Sequence, residues 1–263
     1  MARVDLGGFC LNTQIDGPDN APWMILSNSL GATTAMWQPQ IDALTGNYRV
    51  LRYDTRGHGQ SDTPRGDWTF DDLCADVIAL MDHLGIGTCD FIGLSMGGMT
   101  GLGLALSHPD RVTRVICADA RADAPPPFRA MWDERIAKVK QGGLSAIVDA
   151  TLASWFTADW LAHNPQLADG VREMVLSNPA EGYVACCHAL KTLDYLRHLD
   201  RMTVPVLYVG GDQDKGAAPA VMRDMADRTP GGRYVAIRDA AHVANLNQPE
   251  TFNAAITEFL SGS

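Results

Sequence analysis

The stretch Gly93-Leu94-Ser95-Met96-Gly97 decides the fold of this chain. It follows an apolar run at residues 90–94, which predicts a strand, and it opens residues 97–107, which predict a helix. A serine at such a junction must sit on a sharp turn with strained backbone angles, so that its hydroxyl projects from the end of the strand. The residues two before and two after the serine then approach so closely that only glycine fits, as at Gly93 and Gly97.

Apolar runs alternate with helical patterns on both sides of this turn. Strands are predicted at residues 23–26, 48–53, 90–94, 112–117, 204–209 and 234–237. These runs are almost continuously apolar, which is typical of strands that are covered on both faces. Apolar residues at steps of three and four from Phe70 to Leu84, ahead of Gly85, predict a further helix. Repeated strand–helix–strand units predict an α/β fold with a mainly parallel sheet flanked by helices.

Residues 122–200 break this alternation, because they contain no convincing strand. Helical patterns are predicted there at residues 131–139, 144–156 and 183–196. The segment also holds three of the six tryptophans, which are Trp132, Trp155 and Trp160. One interpretation is a helical insertion that only thickens the domain. We favour a helical cap over the carboxyl ends of the strands, where open α/β sheets bind ligands in mostly apolar pockets. Residues 1–121 and 201–263 would then form the α/β core.

The composition limits the partners of the protein. The 263 residues carry 31 acidic and 21 basic side chains, a formal charge of -10, which disfavours binding to nucleic acid or to anionic membranes. No apolar run approaches the ~20 residues that span a bilayer. Residues 1–6 lack the apolar core of a signal peptide, so we expect a soluble cytoplasmic protein. A homo-oligomer is possible, although the sequence carries almost no signal for it.

The cysteines show no spacing typical of a metal or redox site. The chain has six of them, without a CxxC pair: Cys10, Cys74, Cys89, Cys117, Cys186 and Cys187. Most lie in apolar stretches, where a free thiol behaves as a small hydrophobic group. The sequence therefore predicts neither a zinc site nor a disulfide framework.

The residue type at position 95 indicates acyl-transfer chemistry. Epoxide hydrolases and haloalkane dehalogenases of α/β architecture attack with an aspartate, whereas Ser95 would form an acyl-enzyme. The alternative is a glycine-rich turn with an incidental serine, which the flanking strand and helix disfavour. A serine nucleophile requires a histidine base and a carboxylate that orients the base.

Among the seven histidines, His242 is the best candidate for that base. It follows the last predicted strand through residues 238–241 and precedes a final helix, so it lies on a loop at the carboxyl end of a strand. The other histidines lie in predicted helical or cap segments, at a helix end, or in the glycine-rich loop that contains His58. We expect structural roles for them, and local hydrogen bonds for His58.

Two carboxylates compete for the orienting role, since Gly211-Asp212-Gln213-Asp214 directly follows the strand that ends at Val209. Spacing alone leaves both open. We choose Asp214, because it lies further out on the loop and can reach back to the imidazole of His242. Asp212 is expected to stay near the strand end and to cap local amides.

An oxyanion hole needs two N–H donors. The residue after the nucleophile, Met96, should supply one of them. The loop after the first buried strand, Asn28-Ser29-Leu30-Gly31, should supply the other, and Leu30 is the best candidate there. Because both donors are backbone amides, this inference rests on their position along the chain.

Over essentially its whole length the chain resembles the α/β-hydrolase fold family, and within it the 3-oxoadipate enol-lactonases. The resemblance is carried by Gly93-Leu94-Ser95-Met96-Gly97-Gly98 and by these further stretches: Ser27-Asn28-Ser29-Leu30-Gly31, Met36-Trp37-Gln38-Pro39-Gln40, Arg52-Tyr53-Asp54-Thr55-Arg56-Gly57-His58-Gly59, Trp155-Phe156-Thr157-Ala158, Glu181-Gly182-Tyr183 and Lys215-Gly216-Ala217-Ala218-Pro219. Asn28-Ser29 in place of the common His-Gly is more specific than the serine turn. The resemblance implies hydrolysis of an enol-lactone to a 3-oxo acid in the catabolism of aromatic compounds.

Departures from that subgroup cluster in and around the cap, at residues 118–125 and at Ser154. They concern the substrate rather than the chemistry. Candidate substrate-binding residues are Trp132 and Trp155, as parts of an apolar pocket roof, and Arg121 and Arg135. Each arginine could hold a substrate carboxylate through bidentate hydrogen bonds, or could be a solvated surface residue.

Together these features predict a serine hydrolase that acts on a small-molecule lactone or ester and requires no metal and no organic cofactor. Alternatives of the same fold are a carboxylesterase, a lactonase for a different ring and a C–C bond hydrolase. A non-catalytic receptor that keeps the pocket is a further alternative. The complete set of Ser95, Asp214 and His242 argues against the receptor.

Overall fold

The computed structural model describes residues 2–262 and places the predicted strands in one sheet. The strands of this described region are β1 (Ala2–Asp5), β2 (Cys10–Asp16), β3 (Trp23–Ser27), β4 (Arg49–Tyr53), β5 (Cys89–Leu94), β6 (Val112–Ala118), β7 (Val206–Gly211) and β8 (Arg233–Ile237). Their order across the sheet is β1-β2-β4-β3-β5-β6-β7-β8. All pairs from β4 to β8 are parallel, which confirms the mainly parallel sheet.

Strands β1 and β2 lie at one edge of the sheet, and the sequence did not predict them. They pair antiparallel with each other, and β2 pairs antiparallel with β4. β1 is mostly exposed, whereas the centre of β2 is buried although it contains the polar residues Asn12 and Thr13. Neither an exposed edge strand nor a strand with polar residues at its centre produces the continuous apolar run that identifies the other strands.

The helices flank the sheet and fill the segment between β6 and β7. They are α1 (Ile41–Thr45), α2 (Phe70–His83), α3 (Met96–Ser107), α4 (Pro126–Gly142), α5 (Val148–Trp155), α6 (Ala158–His163), α7 (Pro165–Leu176), α8 (Ala180–Lys191), α9 (Pro219–Arg228), α10 (Ala244–Asn247) and α11 (Pro249–Leu260). The described residues also form 3₁₀ helices at Thr34–Gln40, Leu144–Ala146 and Leu196–Arg201.

Helix α2 follows the predicted apolar pattern. The side chain of Thr69 accepts a hydrogen bond from the Asp72 amide, and the Asp72 carboxylate accepts one from the Thr69 amide, which together form a capping box. Gly85 adopts a φ of 66° just beyond the helix, a conformation that favours glycine. The predicted start and end of this helix are therefore confirmed.

The segment between β6 and β7 is helical, and its only β contact among the described residues is an isolated bridge between Asp123 and Asp194. The predicted helix at 131–139 lies inside α4. The predicted helix at 144–156 is divided, because a 3₁₀ turn over Leu144–Ala146 precedes α5. The division into a core of 1–121 and 201–263 and a cap of 122–200 stays a prediction.

The predicted helix at 183–196 extends too far. Helix α8 already ends at Lys191. Beyond it, the amides of Tyr195 and Leu196 both donate to the carbonyl oxygen of Ala122, at 2.7 and 2.8 Å. Tertiary pairing with the start of the segment therefore replaces the helical hydrogen bonds, and periodicity alone does not reveal such pairing.

Candidate active site

Ser95 occupies the sharp turn between β5 and α3. Its backbone angles are φ 55° and ψ -115°, a conformation that residues other than glycine rarely adopt. A Cβ atom on Gly93 would lie 2.0 Å from the carbonyl oxygen of Gly97, and one on Gly97 would lie 2.1 Å from that of Ser27. Both positions therefore require glycine, as the sequence predicted.

Ser95, His242 and Asp214 form one hydrogen-bonded chain. The Nε2 atom of His242 lies 2.9 Å from the Oγ atom of Ser95, and its Nδ1 atom lies 2.8 Å from Oδ2 of Asp214. The Asp214 side chain is completely buried, and 15% of the His242 side chain is exposed. The fold thus brings together three residues that lie on separate loops at the carboxyl edge of the sheet. This geometry suits proton transfer from a hydroxyl to an imidazole that a carboxylate orients.

Asp214, rather than Asp212, contacts the histidine. The second carboxylate oxygen of Asp214 accepts a hydrogen bond from the Gly216 amide at 2.7 Å, which fixes the loop. Asp212 is exposed, and its side chain makes no hydrogen bond within residues 2–262. The expected capping role of Asp212 is therefore wrong: its backbone amide, rather than its carboxylate, bonds the chain, by donating to the carbonyl oxygen of Ile237.

The electrostatics of the pair favour a charged carboxylate and a basic imidazole. Burial alone would lower the pKa of His242, but the charge of Asp214 and their hydrogen bond outweigh burial and raise it. Burial alone would raise the pKa of Asp214. The nearby imidazole, together with the amides of Gly216 and Ala217, outweighs burial and lowers that pKa.

The pH dependence of hydrolysis should reflect the raised pKa of His242. Only the neutral imidazole can accept the proton of Ser95, so kcat/KM should fall as the pH drops through that pKa. The midpoint of the acid limb should lie above 6.5, the ordinary value for histidine. Initial rates with an uncharged ester, measured from about pH 5 to pH 9, provide the test. A midpoint below 6.5 would contradict the assigned electrostatics.

A further buried acidic residue, Asp119, joins two loops of the site and was not predicted from the sequence. It follows β6 with a φ of 44°, and its oxygens accept hydrogen bonds from the amides of Gly211 at 2.8 Å and Ala244 at 3.0 Å. One side chain thereby ties the end of β7 to the segment after His242. The available signal was an acidic residue at the carboxyl end of a buried strand.

Of the two candidate oxyanion donors, Met96 directly follows Ser95 in the chain, and Leu30 lines the same pocket as Ser95. The amide of Gly97 donates to the carbonyl oxygen of Asn28 at 3.0 Å, which joins the loop after β3 to the serine turn. The Asn28 side chain further anchors this loop, because it donates to the carbonyl of Tyr53 and accepts from the indole of Trp37. Within residues 2–262, the amides of Leu30 and Met96 donate to no protein acceptor. Both amides are thus available to a bound oxygen.

A pocket opens above Ser95 and His242, between the sheet edge and the helical segment. Its apolar wall includes Leu30, Met99, Phe128, Met131, Trp132, Trp155 and Leu190. Trp155 is buried, and its carbonyl oxygen accepts hydrogen bonds from the Val243 amide at 3.2 Å and from Asn247 at 3.0 Å. The indole N–H of Trp132 is buried and has no hydrogen-bond partner in the described part of the chain.

The two candidate arginines both line this pocket but differ in their partners. Arg121 pairs with Asp123 at 2.8 Å and lies over the ring of Phe128. Arg135 donates to the hydroxyl of Tyr183 at 2.6 Å and to that of Thr151. Its guanidinium lies 5.8 Å from the ring centroids of Trp132 and Tyr183, and no carboxylate among residues 2–262 forms an ion pair with it.

The remaining predictions concern metals, disulfides and location. All six cysteines are free. Among the described residues, no cluster of three or more histidine, cysteine or acidic side chains is arranged to hold a metal ion. None of the described helices is both long and apolar enough to cross a membrane. The cytoplasmic location and the homo-oligomer stay predictions.

Comparisons with known proteins agree with this architecture. A model of the α/β hydrolase fold family matches residues 22–249. The chain is 37% identical over 246 residues to 3-oxoadipate enol-lactonase 2 of Acinetobacter baylyi, covering 94% of this chain and 91% of that protein. 3-oxoadipate enol-lactonase 1 of the same species is 35% identical to the chain over 253 residues. The match covers 96% of this chain and 94% of that protein.

Solved structures give the same result. The enol-lactonase from Burkholderia xenovorans LB400 superimposes with a TM-score of 0.95 at 39% identity, over 99% of this chain and 100% of that one. A thermophilic esterase from Thermogutta terrifontis superimposes with a TM-score of 0.93 at 28% identity, over 100% of this chain and 99% of that one. The mainly parallel sheet, the serine turn and these matches together show that the chain belongs to the α/β hydrolase fold family.

Proposed function

We propose that this protein is a serine hydrolase that opens a small lactone, with 3-oxoadipate enol-lactone as its substrate. The observation that carries the proposal is the hydrogen-bonded chain from Ser95 through His242 to Asp214 at the base of a mostly apolar pocket. The similarity to two curated enol-lactonases supports the choice of substrate. Residues 122–200 would form the cap over this pocket.

The reaction proceeds in two acyl-transfer steps. His242 Nε2 takes the proton from Ser95 Oγ, which forms a bond to the lactone carbonyl carbon. The amides of Leu30 and Met96 stabilise the resulting oxyanion, and Asp214 stabilises the imidazolium. The ring C–O bond then breaks, and the departing enolate takes the proton back from His242, which leaves the imidazole neutral for the next step. A water molecule that His242 deprotonates releases the acid and restores Ser95.

An enol-lactone suits this site for a chemical reason. The departing enolate is a better leaving group than the alkoxide of a saturated ester, so proton donation by His242 is less demanding. Ring opening leaves the whole product attached to Ser95 as an acyl-enzyme. The pocket must therefore hold the opened chain until water attacks. This scheme uses only side chains and backbone amides, without a metal or an organic cofactor.

Arg135 is the proposed partner for a carboxylate on the substrate. Its guanidinium lines the pocket and is oriented by Tyr183 and Thr151, and no acidic side chain of the described residues neutralises it. Arg121 already has Asp123 as its partner, and is the weaker candidate. Trp132 and Trp155 would enclose the apolar part of the substrate.

Replacing Arg135 by glutamine should raise KM for the carboxylate-bearing lactone by about 10- to 100-fold, the range expected for a lost charged hydrogen bond. KM for uncharged p-nitrophenyl acetate should stay within about threefold of the wild-type value. Arg121→Gln is the matched control and should have the smaller effect on the lactone. Steady-state kinetics on both substrates measure the difference, and equal effects of the two substitutions would contradict the assignment.

A substrate panel tests the proposed function. Turnover of 3-oxoadipate enol-lactone should exceed that of saturated lactones and of simple p-nitrophenyl esters. A preference for simple esters would identify a carboxylesterase, and a preference for saturated rings a different lactonase. Turnover of none of these substrates, together with no covalent labelling by a fluorophosphonate, would favour a receptor and reject the proposal.

A further inference from the structure

Gly31, in the loop after β3, is held from both sides by polar side chains. Its amide donates to Nε2 of His58 at 2.9 Å. Its carbonyl oxygen accepts a hydrogen bond from Nδ2 of Asn178 at 2.8 Å. His58 lies in the loop after β4, whereas Asn178 lies in the helical segment, between α7 and α8. Two distant parts of the chain therefore fix one glycine.

The conformation of Gly31 explains why it needs such contacts. Its φ of 82° is accessible to glycine at little cost, and a residue without a Cβ atom places few limits on the peptides beside it. The preceding residue is Leu30, whose amide is the proposed oxyanion donor. The Leu30 amide belongs to the Ser29–Leu30 peptide, whose carbonyl oxygen accepts a hydrogen bond from the Ala32 amide at 3.0 Å. Gly31 lies inside this turn, so the hydrogen bonds that fix Gly31 also hold the turn and the direction of the Leu30 amide.

The protonation state of His58 follows from its two contacts. Its Nδ1 atom lies 3.2 Å from the carbonyl oxygen of Arg56, so the hydrogen must reside on Nδ1. Nε2 is then a lone-pair acceptor for the Gly31 amide. The side chain is completely buried, and burial lowers the pKa of His58 to about 4, although the Arg56 carbonyl and the charge of Asp54 act in the opposite direction. His58 is thus neutral wherever His242 can act as a base.

His58 and Asn178, the two residues that bond Gly31, are also linked to each other. The amide of Gly59, the residue after His58, donates to Oδ1 of Asn178 at 2.8 Å. The same Asn178 side chain therefore binds the His58 loop with its oxygen and the Gly31 carbonyl with its nitrogen. Asn178 is itself buried. His58 and Asn178 thus form one connected network around Gly31.

We propose that His58 is a positioning residue of the oxyanion hole, whose lone pair fixes the Gly31 amide and so directs the Leu30 amide towards the oxygen of the substrate. Asn178 completes the arrangement from the helical segment. The inference rests on the proposed function, since an oxyanion donor matters only if Ser95 attacks a carbonyl group. Loss of the acceptor would leave the buried Gly31 amide unpaired and the peptide free to turn.

His58→Leu and His58→Gln separate this role from simple packing. Leucine removes the acceptor, whereas the oxygen of glutamine can reach the position of Nε2. For p-nitrophenyl butyrate, kcat of His58→Leu should fall about 10- to 100-fold with KM within about threefold, because a misdirected donor acts on the transition state. His58→Gln should retain several-fold more activity than His58→Leu. His163→Leu, at an exposed position far from the loop, is the control and should match the wild type.

Equal kcat values for the leucine and glutamine variants would overturn the inference, whether both are lowered or both unchanged. If His58→Leu does not fold, as judged by thermal unfolding, His58→Asn takes its place, since its oxygen is too short to reach Gly31. Labelling of Ser95 by a fluorophosphonate separates the two proposals. An unlabelled wild-type protein rejects the hydrolase itself, whereas a labelled protein with equal His58 variants rejects only the role of His58.

Discussion

Replacing Ser95 by alanine should lower kcat for an activated ester by roughly 10⁴- to 10⁶-fold, the range found when a serine nucleophile is removed. The substitution deletes the one oxygen that lies 2.9 Å from His242 Nε2, so no acyl-enzyme can form. A residual rate above that in water should remain, because the amides of Leu30 and Met96 can still stabilise an oxyanion. Burst and steady-state kinetics with p-nitrophenyl acetate measure the loss.

Ser107→Ala provides a matched control for this experiment. Ser107 ends the helix that Ser95 opens, and among residues 2–262 its hydroxyl donates to the carbonyl oxygen of Gly103 alone. Its removal should leave kcat unchanged. Alanine at position 95 keeps a Cβ atom in the same backbone conformation, so the two variants should fold alike. Activity of Ser95→Ala within tenfold of the wild type would exclude Ser95 as the nucleophile.

The second large effect is expected for Asp214→Asn, which should lower kcat by about 10³- to 10⁴-fold. Asparagine nearly preserves the shape of the side chain but removes the charge that stabilises the imidazolium. Its amide group can also present a donor to Nδ1, which favours the wrong histidine tautomer. The acid limb of the pH profile should move to lower pH, because the charge of Asp214 raises the pKa of His242.

Asp212→Asn is the matched control for that variant. The two aspartates lie on the same loop, but Asp212 is exposed and Asp214 is buried against His242. We expect Asp212→Asn to keep kcat within about twofold of the wild type, as for most surface substitutions. The reverse pattern, with a large loss only at position 212, would show that the orienting carboxylate was assigned wrongly.

The sequence was sufficient to predict the centre of the sheet and the arrangement around Ser95. Continuous apolar runs identify strands that are buried on both faces, and Gly93 and Gly97 mark a turn that excludes side chains. β1 and β2 lack this signal, since β1 is an exposed edge strand and β2 has polar residues at its centre. The formation of these two strands depends on antiparallel pairing with neighbouring strands, which the pattern of apolar residues in the sequence does not show.

Contacts between distant segments account for the other differences. The end of α8 is set by hydrogen bonds to Ala122, some 70 residues earlier, rather than by local propensity. Asp119 holds two loops whose proximity exists only in the folded chain. The sequence predicted local hydrogen bonds for His58 without naming a partner, and the structure shows one to the carbonyl oxygen of Arg56. The contact of His58 with Gly31 joins two loops and was not predicted.

The most direct test of the account is peptide mass spectrometry of the protein after reaction with a fluorophosphonate. A stoichiometric phosphonyl group on the oxygen of Ser95, absent from Ser95→Ala and formed more slowly in Asp214→Asn, is the predicted result. Ester hydrolysis that continues while Ser95 stays unmodified, or a label on a different serine that abolishes activity, would contradict it.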